Sequence, residues 1–277
     1  MSEKYTVITG ASSGIGREIA KVFARKGKNL ILVARRKERL EELKNEIICK
    51  DNDIDIKIIP CDLSDMNAVY ELYEKLGKYD LETLINDAGV GYNGKIINQD
   101  LKKISNMIRL NIEALTILST LFVNDYKDRE GTTLVNVAST VGYGVTSKAP
   151  SYSATKFYVS AFTEAVYWEL KESRAKMRVK LLAPAMTFTE FLANALGKSR
   201  EEAENINSMV TGNAGEKQGN TSEEIAEFLG ELYESEELLG YADTVKYGLH
   251  MTGPHIPHSF TKEYNPNLLD KNLKGDK

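Results

Sequence analysis

Tyr152 and Lys156 stand four residues apart in Tyr152-Ser153-Ala154-Thr155-Lys156, a spacing that puts both side chains on one face of a helix. Such a pair can make a proton donor. A phenol titrates near pH ~10, but an ammonium about 4 Å away contributes roughly 4 kcal/mol at an effective dielectric near 20. At ~1.4 kcal/mol per pKa unit, the sequence predicts a Tyr152 phenol brought close to neutrality by Lys156. Spacing alone does not decide the matter in a chain with 14 tyrosines, and Tyr167 and Lys171 repeat it as an ordinary surface or packing pair. Tyr152 differs in its company. Ser139 lies thirteen residues upstream, at the end of the apolar run Thr133-Leu134-Val135-Asn136-Val137-Ala138, which reads as a buried strand. A serine ending a strand and a tyrosine opening the next helix can meet over a cleft.

The elements that must position this pair begin at the N-terminus. The strand Tyr5-Thr6-Val7-Ile8-Thr9 runs into Gly10-Ala11-Ser12-Ser13-Gly14-Ile15-Gly16 and then into a helical pattern through Ile19, Ala20, Val22 and Phe23. Glycines there let backbone N–H groups approach a pyrophosphate, and the helix N-terminus adds positive potential. The G-x3-G-x-G spacing is a variant of the dinucleotide fingerprint. The second strand, Asn29 to Ala34, ends without the acidic residue that would hold an unphosphorylated adenosine ribose. Arg35 and Arg36 follow it, and Arg17 succeeds the last glycine, so cations stand where NADP carries its extra phosphate. We therefore expect NADP(H) in preference to NAD(H).

A third strand, Asp55 to Ile59, leads to Cys61-Asp62-Leu63, where Asp62 can face an adenine amino group or serve the helix that starts at Ser64-Asp65. The strand Leu84-Ile85-Asn86 then enters the turn Asp87-Ala88-Gly89. Successive strand-helix alternations predict an α/β fold: a Rossmann-like, doubly wound parallel sheet in three layers and a single domain, with the ligand at the strand C-termini. The stretch from about Asp100 to Asn124 reads as one long apolar helix interrupted by Asn111, whose buried amide needs partners.

In this order and at these spacings, Gly10, Gly14 and Gly16, the turn Asn86-Asp87-Ala88-Gly89, Asn111, Ser139, and Tyr152 with Lys156 resemble the short-chain dehydrogenase/reductase family over residues 4–190. The resemblance implies a catalytic tetrad. Tyr152 would be the general acid/base, Lys156 would lower its pKa and hold the nicotinamide ribose, Ser139 would orient the substrate oxygen, and Asn111 would hold a water in a proton relay. It also implies cofactor contacts from Gly10, Ser12, Ser13, Gly14, Ile15, Gly16, Arg35, Asp62, Leu63 and Asn86, with Thr187 and Thr189 at the nicotinamide amide. The chain departs from the family pattern at Asp87, where many members have Asn, and at Ala185, where Pro-Gly is usual. A final strand ending in Asp-Gly-Gly is not discernible.

We expect a catalytic domain over 1–250, with a substrate lid at about 190–220, and a tail over 251–277. Thr221-Ser222-Glu223-Glu224 has the spacing of a capping box and should open a helix. The final stretch holds all three histidines, His250, His255 and His258, but Pro254 and Pro257 break any helical arrangement, and no metal site is expected. With 36 basic against 40 acidic residues and a pI near 5.6, nothing marks a nucleic-acid or membrane partner. No apolar run reaches the ~18 residues of a membrane span. Two cysteines without paired spacing fit a reducing, cytoplasmic setting.

The expected activity is reduction of a ketone or aldehyde, or oxidation of a secondary alcohol, by hydride transfer with NADP(H). Val90, Tyr92, Val141, Tyr143, Met186, Phe188 and Phe191 suggest an apolar, steroid-like substrate; a 3-oxoacyl thioester is the alternative substrate, and a non-catalytic redox-sensing regulator the alternative class. By resemblance, the helices bearing Asn111 and Tyr152 form subunit contacts, giving a homodimer or homotetramer.

Overall fold

Parallel strands are covered on both faces, so their sequences read as unbroken apolar runs whose alternate residues enter two different cores. β2 (Asn29–Ala34) shows this directly: Leu30 and Leu32 join one core, Ile31 and Val33 the other. The computed structural model describes residues 4–50, 53–187, 189–191, 219–243 and 248–256. Within them β1 (Lys4–Thr9), β2, β3 (Ile56–Pro60), β4 (Asp80–Asn86), β5 (Thr133–Val137), β6 (Arg178–Ala183), β7 (Leu239–Ala242) and β8 (Leu249–Thr252) form one sheet in the order β3-β2-β1-β4-β5-β6-β7-β8. All pairings are parallel except the β7–β8 edge.

One face is covered by α1 (Gly14–Arg25), α2 (Lys37–Ile48) and α7 (Ser222–Glu234), which contribute Ile19, Phe23, Leu40, Leu43 and Leu229 to their core. The opposite face carries α3 (Met66–Leu76), α5 (Leu115–Tyr126) and α6 (Pro150–Glu172), with Leu72, Leu118, Phe122 and Val159 buried against the sheet. The result is the three-layer α/β domain expected. α7 opens with the expected capping box: Thr221 Oγ1 accepts from Glu224 N–H, and Glu224 Oε2 accepts from Thr221 N–H.

Three differences from the sequence expectation stand out. β7 and β8 supply the final strands that were not discernible, without an Asp-Gly-Gly ending. The long apolar helix is divided: α4 (Leu101–Ile108) passes through a π-helical turn at Arg109–Ala114 before α5. And Leu101–Tyr126, with mean hydropathy 1.2 over its most apolar window, does have the length and composition of a span; here Met107, Leu115, Leu118 and Phe122 are buried against the protein. Phe188, His258, most of the expected lid and most of the expected tail lie outside the described residues.

Candidate active site

β1 has β2 on one side and β4 on the other, so the connections leaving its C-terminal end and that of β4 diverge and open a crevice. Thr9 ties the two walls together: its hydroxyl accepts from Asp87 N–H and Ala88 N–H, both at 3.1 Å, and donates to the Ile85 carbonyl at 3.3 Å. Gly10 follows at φ +74°, and a Cβ there would sit 2.9 Å from Ala88 N, so no other residue suits this turn. α1 then starts at Gly14 with no side-chain cap and no acidic residue in its first turn. Its leading N–H groups and positive dipole end are thus left for a ligand, and the cradle fits a pyrophosphate.

Two adjoining cavities of about 180 and 540 Å³ share Gly10, Ser13, Ala88, Gly89, Gly91 and Phe191. The smaller is walled by Ser12, Arg35, Arg36, Asp62 and Leu63, the larger by Gly14, Ile15, Ser139, Tyr152, Lys156, Thr187 and Thr189. Those residues are the cofactor and catalytic candidates, brought to one crevice from five strand ends and from the first turns of α6. Three others stand behind the walls. Asn86 Nδ2 donates to Ser119 Oγ at 3.1 Å and Asn136 Oδ1 at 3.0 Å in the sheet interior. Gly16 lets α1 approach the turn after β4, since a Cβ on it would fall 2.5 Å from Asp87 Oδ2. Asn111 clamps Val90 through Oδ1 and Nδ2, both at 2.9 Å, and donates to Thr155 Oγ1 at 3.1 Å. Both its amide hydrogens are therefore committed to protein.

At the reacting end, Tyr152 and Ser139 share the wall of the larger cavity, and Ser139 Oγ donates to the Pro184 carbonyl at 3.3 Å. Lys156 Nζ lies 6.0 Å from the Tyr152 ring centre and donates to the Val137 carbonyl at 2.9 Å. Here the electrostatics correct the sequence expectation. Burial pushes the phenol well above its ordinary pKa; the neighbouring Ser139 hydroxyl opposes that rise and the charge of Asp87 adds to it. Lys156 is itself lowered to about 8 by burial, with Asp87 opposing. The ammonium points at a backbone carbonyl and shares its field with a carboxylate, so desolvation wins over attraction.

A family model for short chain dehydrogenases matches residues 4–200. The chain belongs to the short-chain dehydrogenase/reductase family. Among its relatives is an uncharacterized oxidoreductase of Staphylococcus aureus strain USA300, 29% identical over 74% of this chain and 88% of its own. A short-chain dehydrogenase from Sphingobium yanoikuyae, solved in complex with NADPH, shares 28% identity over 86% of this chain and 87% of its own, with TM-score 0.74. The bulky-bulky ketone specific alcohol dehydrogenase from Comamonas testosteroni shares 26% over 99% of this chain and 94% of its own, with TM-score 0.71.

Against the family pattern, Asp87 puts a carboxyl where an amide is usual. Burial raises it to about 7, opposed by the Lys156 charge and the Gly16 N–H. Ala185 causes no strain, since Arg174 alone among the described non-glycine residues has positive φ. Asp62 faces the smaller cavity while its Oδ1 accepts from Ser64 N–H and Oγ at 3.0 and 2.8 Å, and Asp65 caps α3.

Arg17 does not face the cofactor crevice: it pairs with Glu46 at 2.6 Å. Arg36 does, donating to Ser12 Oγ at 3.1 Å and Ser13 Oγ at 2.8 Å. Sequence inspection missed two carboxylates. Glu190 accepts from Arg36 at 3.1 Å and from Arg39 at 2.6 and 2.8 Å. Glu164, two turns beyond Lys156 on the same stripe of α6, accepts from Tyr143 Oη at 2.6 Å and from the N–H groups of His255 and Ile256 at 2.8 and 2.6 Å. Neither had a local signal, because their partners lie far away in sequence. His255 packs edge-on against Tyr143, His250 lies 3.4 Å from Asp243, and no metal-binding group occurs among the described residues.

Proposed function

We propose that this protein reduces ketones or aldehydes, or oxidises secondary alcohols, with NADP(H), using Tyr152 as proton donor and acceptor. The observation that carries the proposal is the convergence of Tyr152, Ser139 and Lys156 on the wall of the larger cavity. Bound NADPH would supply the hydride. Gly10, Ser13, Gly14 and Ile15 would hold its pyrophosphate, Arg35 and Arg36 its 2′-phosphate, Asp62 and Leu63 the adenine end, and Thr187 and Thr189 the nicotinamide end.

A phenol held protonated by burial is ready to give its hydrogen to a carbonyl oxygen. Ser139 Oγ, on the same wall, would turn its one O–H from the Pro184 carbonyl to that oxygen as charge develops there. Lys156 supports the phenolate left behind, and the reverse reaction begins from it. Asn111 holds the 88–91 turn, and with it one wall, in place.

Val90, Val141, Met186 and Phe191 line the cavities and favour an apolar carbonyl substrate. Tyr92 and Tyr143 stand outside both linings, which places fewer aromatic groups on the walls than the sequence suggests. Following the absorbance of reduced nicotinamide over a panel of apolar ketones, aldehydes and 3-oxoacyl thioesters tests the proposal. Turnover of the ketones supports it. Tight NADPH binding with no oxidation on any carbonyl class would turn the account toward a redox-sensing regulator.

A further inference from the structure

The wall of the smaller cavity contains an ion pair with no place in the mechanism. Glu190 closes that wall beside Ser12, Ser13, Arg35 and Arg36. Its two carboxylate oxygens take three contacts from guanidinium groups, one from Arg36 and two from Arg39. Arg36 is thereby divided: Nη2 reaches the two serine hydroxyls of the glycine-rich turn, and Nη1 reaches Glu190. A phosphate monoester and a carboxylate ask the same thing of arginine, paired oxygens for a planar fork of N–H groups. Both cannot use the same guanidinium edge at full strength.

We propose that Glu190 is a cofactor-discriminating residue, a built-in competitor for the arginine that a ribose 2′-phosphate would engage. The inference rests on the NADP(H) assignment made above and adds to it how the preference is set. A dinucleotide carrying the 2′-phosphate displaces Glu190 from Arg36; one lacking it leaves the ion pair intact. The side chains are about one-third exposed, 43% for Arg36, 31% for Arg39 and 34% for Glu190, so exchange between carboxylate and phosphate needs no core rearrangement. Affinity for the phosphorylated ligand is reduced by the fraction of molecules in which Arg36 is free of Glu190. Removing the carboxylate's charge while keeping its shape should restore that fraction.

The test uses calorimetric titration of the full chain and of Glu190→Gln with two probes, adenosine 2′,5′-bisphosphate and adenosine 5′-monophosphate. In the variant the bisphosphate should bind about five-fold more tightly, the size expected of losing a pair of partly exposed ion pairs, while the monophosphate is unchanged. Unchanged or weaker bisphosphate binding in Glu190→Gln would overturn the proposal, because Glu190 would then be orienting the arginines for the phosphate. Equal loss of both ligands would overturn it as well and assign Glu190 a structural role. In either case a wild-type preference for the bisphosphate leaves the NADP(H) assignment standing. A wild-type protein that prefers the monophosphate sinks the assignment and the inference together.

Discussion

Replacing Asp87 by Asn should make the protein increasingly more stable than wild type as pH rises from about 4 to about 7. The carboxyl lines the crevice beside Gly16 and has its pKa raised from 3.8 to about 7 by burial, against the pull of Lys156 and the Gly16 N–H. Over that window the native protein keeps a proton that the unfolded chain has lost, so wild-type stability falls as pH rises through it. The slope is at most about 1.4 kcal/mol per pH unit and the total about 4 kcal/mol. That total is a ceiling, because cavity water reaches the carboxyl. Asn keeps an acceptor for Gly16 and fits the same space, so it removes the titration and little else. Urea denaturation of both proteins at several pH values from 4 to 9 measures the difference, whose slope matters more than its offset. A flat or falling difference across the window would refute the reasoning, since it would mean that Asp87 stays ionised in a firm ion pair with Lys156. Above pH 8 both proteins should gain stability until about 10.5, as native Lys156, lowered to about 8, loses its proton before the unfolded lysine does.

Further outcomes follow from the same structure. Ser139→Ala should lower kcat by roughly ten-fold to a hundred-fold with little change in cofactor affinity, measured by steady-state kinetics and NADPH titration. Glu164→Gln leaves the N–H groups of His255 and Ile256 and the Tyr143 hydroxyl with a weaker acceptor, and should cost about 1–3 kcal/mol in denaturant unfolding. It should also hasten proteolytic cleavage after residue 250. Gly10→Ala puts a Cβ against Ala88 N at a positive φ and should lower both stability, by about 1 kcal/mol or more, and cofactor binding. Thr221→Ala removes the cap of α7 and should cost about 1 kcal/mol without altering cofactor affinity.

How much of this was legible in the sequence depended on the range over which each feature is decided. β1 to β6 are apolar runs because both their faces are covered, and the pattern is local. β7 and β8 are four residues each, with Gly240 inside one and exposed His250 and Met251 in the other, so neither stands out from a loop. The π-helical turn around Asn111 has no compositional mark; it shows itself only in how the amide meets Val90. Tyr152, Lys156 and Ser139 could be found from spacing, yet the direction of the phenol's pKa could not. That direction is set by burial and by Asp87, a carboxyl delivered from the end of another strand. Arg17 was misassigned for a related reason: Glu46, on the neighbouring helix, claims it.

The central claim is that the Tyr152 hydroxyl passes its hydrogen to the substrate oxygen while Lys156 and Ser139 hold the local charge. Single-turnover oxidation of bound NADPH by an accepted ketone, compared between wild type and Tyr152→Phe, tests it most directly. The account predicts a loss of about a hundred-fold or more in the rate of that step, with NADPH affinity unchanged. A phenylalanine variant that oxidises NADPH at close to the wild-type rate would contradict it.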